Sequence, residues 1–90
     1  MCRSIQTLYN LDPPTSDEEV RAAALQFVRK ISGYTKPSQA NEEAFLRAVD
    51  AVTAASVRLL DELVTPAPPR DREQLAERAR RRAAERVRAA

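Results

Sequence analysis

Cys2 carries the only thiol in a chain of 90 residues, and Arg3 follows it. A small residue at position 2 permits removal of the initiator Met. That would leave an N-terminal Cys with an amine and a thiol on adjacent carbons. Such a pair can chelate a soft metal, or act as a nucleophile with the α-amine as base, since that amine titrates at about pH 8. Arg3 would favour the thiolate. Nothing completes the constellation, because the chain has no His and no second Cys. No Cys-His pair, Cys-based zinc site or internal disulfide can form from these residues. The sequence favours an ordinary small residue here over an N-terminal-Cys-dependent metal or redox role.

The second candidate is the run Arg29-Lys30-Ile31-Ser32-Gly33-Tyr34-Thr35-Lys36, which holds both lysines and the only glycine. An anion could sit between Lys36 and the start of the next helix at Ser38-Gln39-Ala40. A helix C-terminus with dipole-matched cations accounts for everything but Lys36, and is the favoured reading. The carboxylates offer less. Asp17-Glu18-Glu19, Glu42-Glu43 and Asp61-Glu62 are consecutive, so on helices they fan outward instead of converging on a substrate. The sequence therefore indicates no catalytic residue, no cofactor and no metal, and the chain is read as non-enzymatic.

The last candidate is a terminal cluster: Arg78, Arg80, Arg81, Arg82, Arg86 and Arg88. Arginine-rich helices bind nucleic-acid phosphates largely without sequence preference. No aromatic residue interleaves them, so base stacking is not offered. The bland alternative is a solubilising helix laced by pairs such as Glu77 with Arg81. A helix-turn-helix over 20–53 fails, because Glu42 and Glu43 would open its recognition helix and repel phosphates.

Composition agrees with a binding role. A single Gly excludes Gly-rich phosphate loops. Hydrophobic residues make up 43% of the chain, but sixteen are Ala, there is no Trp, and only two Phe and two Tyr are present. Such a core is thin for a small domain. Residues 1–69 carry seven basic and nine acidic groups, net −2, while 70–90 carry eight Arg and four acids, net +4. A mildly acidic body thus bears a basic arm. Arg outnumbers Lys 13 to 2, a bias that a GC-rich bacterial genome also produces. No apolar run suits a secretory leader or a membrane span, and a lone thiol suits a reducing compartment, so the expected location is cytoplasmic.

The elements that must position these groups are helices. Residues 1–14 read as an arm anchored by Ile5, Leu8, Tyr9 and Leu11, broken by Pro13-Pro14. Thr15 with Glu18, or Ser16 with Glu19, makes a capping box. Val20, Ala24, Phe27, Val28 and Ile31 then form one apolar stripe, predicting a helix at about 16–32 closed by Gly33. Ser38 or Asn41 caps a second helix over about 38–64, with the stripe Phe45, Ala48, Val49, Val52, Ser56, Leu59, Leu60 and Leu63. Thr65-Pro66-Ala67-Pro68-Pro69 reads as a stiff linker. Residues 70–90 are built from good helix formers, with only Leu75, Ala79, Ala83 and Val87 as a narrow stripe. No period-two β pattern competes.

The expected fold is all-α: an antiparallel helical hairpin with an arm packed across it, a linker at 66–69 and a third, Arg-rich helix. Residues 1–65 form the helical domain. Its partners would be another protein or a second copy of itself, with a homodimer placing Val52, Leu59 and Leu63 near the interface. The alternative is an accessory RNA- or ribosome-binding protein, which would contact nucleic acid through the Arg-rich tail. No small-molecule ligand and no membrane are indicated.

Met-Cys-Arg-Ser-Ile at 1–5, Pro13-Pro14, Arg-Lys-Ile-Ser-Gly at 29–33, Lys36-Pro37-Ser38 and Pro68 to Arg72 together resemble a family of small bacterial proteins built on a domain of unknown function. Its members open Met-Cys-Arg-Asn-Ile and carry the same Pro-Pro and Arg-Lys-Ile-Ser-Gly runs. Here Ser4 replaces the usual Asn, and Leu11-Asp12 replaces Phe-Glu. The resemblance spans roughly 1–72 and implies a cytosolic bacterial protein, without implying a catalytic residue.

Overall fold

The computed structural model describes residues 5–89, and the chain divides into two compact units. The first is the described chain up to Tyr9 together with Thr15–Thr65; the second is Asn10–Pro14 together with the chain from Pro66 onward. Three helices dominate, beside a very small two-stranded sheet.

Helix α1, Asp17–Ser32, begins on a complete capping box. The Glu19 N–H donates to Ser16 Oγ at 3.2 Å, and the Ser16 N–H donates to Glu19 Oε1 at 3.0 Å. Ser16 is thus the cap and Thr15 is not; the Thr15 hydroxyl oxygen is buried without a hydrogen bond among the described residues. The helix ends at Gly33, which adopts φ 78° and donates its N–H to the Arg29 carbonyl at 2.9 Å. Glycine takes up this left-handed geometry without steric cost. The chain after it folds back on Arg29, whose Nε donates to the Thr35 carbonyl at 3.0 Å.

The second helix is shorter than its stripe suggests. A single 3₁₀ turn, Gln39–Asn41, precedes α2, Glu42–Glu62, where the sequence predicts 38–64. Both expected caps are spent on each other. Asn41 Nδ2 donates to Ser38 Oγ at 2.9 Å, and neither side chain caps the backbone. At the far end Leu63 is already extended, with ψ 140°.

These two helices pack on each other. Val20, Ala24 and Val28 of α1, at i, i+4, i+8, meet Phe45 and Val49 of α2, with Leu25, Ala48 and Val52 alongside. Arg21 and Asp50 form an exposed ion pair between α1 and α2. The buried stripe is narrower than the predicted one. Phe27 and Ile31 lie on the flank of the 20–24–28 ridge and stay exposed, as do Leu59 and Leu63.

The second unit corrects two expectations. Strand β1, Leu11–Asp12, pairs parallel to β2, Arg70–Asp71, with Leu11 opposite Arg70 and Asp12 opposite Asp71. Leu11, expected to anchor the arm, therefore groups with the C-terminal segment. The segment read as a linker is bonded too. Asn10, at φ 57°, donates its Nδ2 to the carbonyl oxygens of Ala67 and Pro68, both at 3.2 Å. The Asp12–Pro13 peptide is cis. Helix α3, Arg72–Ala89, starts after β2, not at residue 70. Asp71 accepts the Gln74 N–H at 3.1 Å and so caps it.

Candidate functional site

The residues that flank the α1 ridge define the most distinctive surface of the first unit. Phe27 is 42% exposed and Leu59 is 54% exposed. They border a groove of about 330 Å³ to which Ile5 and Leu8 of the arm and Val52 and Leu60 of α2 also contribute. Among the described residues the polar lining is Gln6 and Ser56, and none of the described lining side chains is ionisable. Such a groove offers apolar contact and two neutral hydrogen-bonding groups. Its described residues supply no acid, base or charged nucleophile of the kind proton-transfer chemistry needs.

A second, open depression of about 570 Å³ is lined by charge, including Asp17, Arg21, Asp50, Arg58 and Asp61. Two of these groups are paired as Arg21 with Asp50. Among the described residues no group of three His, Cys, Asp or Glu side chains is placed to hold a metal ion.

The residues singled out in the sequence are dispersed. Cys2 and Arg3 lie outside the described residues. Lys30 and Lys36 are exposed. A three-residue 3₁₀ turn follows Lys36 where the reading for an anion wanted a helix N-terminus. On α3, Arg78, Arg80, Arg81, Arg82, Arg86 and Arg88 are all exposed. Glu77 pairs with Arg81 at 2.8 Å, one turn apart. Arg78, Arg82 and Arg86 recur every four residues and so share one edge of the helix.

Sequence reasoning assigned Phe27 to the core and Ile5 and Leu8 to an arm, without joining them into a groove. A usable signal was the wide uncharged arc of α2. Ala44, Ala48, Ala51, Val52, Ala55 and Leu59 extend its apolar face well beyond what contact with one helix requires.

The geometry defines a mostly helical protein of two small units, with an apolar groove on one and an arginine-lined helix in the other. Residues 1–78 match the model of a family described as an uncharacterized conserved protein, DUF2277, and the chain belongs to that family. No curated protein and no solved structure matches it. Among the described residues, no helix is long and apolar enough to cross a membrane.

Proposed function

We propose that this is a non-enzymatic protein of the bacterial cytoplasm that acts through protein–protein contacts, the first being with a second copy of itself. In this reading α1 and α2 form an antiparallel hairpin, and two hairpins close a four-helix core about a two-fold axis. The observation that carries it is the apolar groove between Phe27 and Leu59, on a unit with five buried apolar side chains among the described residues. Val49, at 1% exposure, is the most deeply buried of the five. Units this small commonly need a supplement such as a disulfide, a metal or oligomerisation. One Cys and no His leave little scope for the first two.

A second copy fits the surface better than a charged partner, because the described lining of the groove is apolar apart from Gln6 and Ser56. The alanines beside it allow close approach of a helix, and a two-fold axis would set the same face on both sides. The single thiol supports a reducing compartment.

Sedimentation equilibrium at micromolar concentration tests the reading. The wild type should behave as twice 10.1 kDa. Leu59→Glu should reduce it to a monomer, since a buried Leu side chain contributes roughly 1.5–3 kcal/mol. A wild-type monomer whose mass is unchanged by Leu59→Glu would overturn it.

A further inference from the structure

We propose that α3 binds the sugar-phosphate backbone of a nucleic acid along one edge formed by Arg78, Arg82 and Arg86. The inference is independent of the self-association reading, because none of these residues lines the groove. Steps of four residues advance about 6 Å along a helix and turn it by only about 40°. The three guanidinium groups therefore form a row of repeated positive charge.

All three are exposed, and none makes an ion pair or hydrogen bond among the described residues. Like charges one turn apart disfavour the helix. The acids of α3 do little to relieve this row. Glu77 is taken by Arg81. Glu73 lies outside three- or four-residue spacing from all three, and Glu85 meets that spacing only with Arg82. A polyanion would relieve the repulsion, and guanidinium groups match phosphate oxygens with paired N–H donors.

The rest of the helix narrows the choice of partner. Membrane-surface helices need large apolar side chains opposite their cations, whereas α3 has only Leu75, Val87 and alanines. It carries no aromatic residue and no Asn, so it lacks stacking groups, and the contact is expected to be insensitive to base sequence. Ala79 and Ala83 beside the row are small enough not to hold a backbone away.

The test is fluorescence anisotropy of the full chain with labelled duplex DNA, duplex RNA and single-stranded RNA, between about 50 and 200 mM salt. Anionic-lipid vesicles and polyglutamate serve as competitors. Gln is a good helix former, so R78Q/R82Q/R86Q removes the row while keeping the helix, and R80Q/R81Q/R88Q removes the same charge from elsewhere on α3. Wild-type affinity should fall with salt at a log–log slope of about −3 on duplex DNA, as three phosphate contacts require. The row variant should lose at least about tenfold more affinity than its control. The three probes separate DNA from RNA as the natural source of the phosphates. Absence of binding, equal losses in the two variants, or equal competition by vesicles or polyglutamate would overturn the proposal.

Discussion

The main-chain N–H of Arg70 donates to the carbonyl oxygen of Asn10 at 2.8 Å, joining positions sixty residues apart. The same Asn10 donates its side-chain amide to Ala67 and Pro68. One residue thus connects the short N-terminal strand segment to both the proline-rich run and the strand that precedes α3. Its left-handed φ of 57° is a conformation that Asn tolerates better than most residues.

Replacing Asn10 separates these contributions. Asn10→Gly keeps access to the left-handed backbone and removes the two amide bonds. Asn10→Ala removes the bonds and adds about 1 kcal/mol of backbone strain. Hydrogen exchange at the Arg70 amide should therefore quicken in both variants, and more in the Ala variant. An unchanged rate in Asn10→Ala would show that the β1–β2 pairing holds without it.

The two ends of α1 give a second pair of expectations. Ser16→Ala removes the side-chain half of the capping box and should cost about 1 kcal/mol. Gly33→Ala meets no neighbouring atom within 4 Å, so its cost is purely conformational, about 1 kcal/mol. Gly33→Asn should cost less than Gly33→Ala. Urea denaturation checks all three, and the order Gly, Asn, Ala at position 33 is the discriminating result.

Those ends were legible because they are local. Ser16 with Glu19 and the lone Gly33 state their roles within four residues, and so does the Glu77–Arg81 pair. The start of α2 was less legible, since Ser38 and Asn41 each look like a cap and their bond to one another has no sequence signature. The β1–β2 pairing was hidden. Each strand is two residues long, too short to show a period, and the partners lie almost sixty positions apart. The groove was half legible. Leu59 and Val52 stood out on their stripe, but only the packed arm shows that Ile5 and Leu8 join Phe27 there.

Core and surface valines should respond very differently to truncation. Val49 is 1% exposed and sits against Phe45, Ala24 and Val28. Val49→Ala deletes two buried methyl groups and should cost about 2 kcal/mol. Val64 is 92% exposed, so Val64→Ala should stay within about 0.5 kcal/mol of wild type. Thermal melts of the two variants check this, and equal losses would contradict the placement of the core.

Ending the chain after Pro69 tests whether the first unit stands by itself. The deletion removes β2 and α3, so Leu11 and Asp12 lose their strand partner. It leaves intact all five buried side chains, the capping box at Ser16 and every groove residue. α3 contributes no buried side chain among the described residues, so little apolar burial is lost. The melting transition of 1–69 should stay cooperative and fall by only a few degrees, equivalent to about 1 kcal/mol for a domain of this size. The fragment should sediment with the same stoichiometry as the full chain while losing all salt-dependent binding to nucleic acid. A fragment with no cooperative transition would show that the first unit cannot fold without the second. A folded fragment that still bound duplexes would move the phosphate contacts off α3.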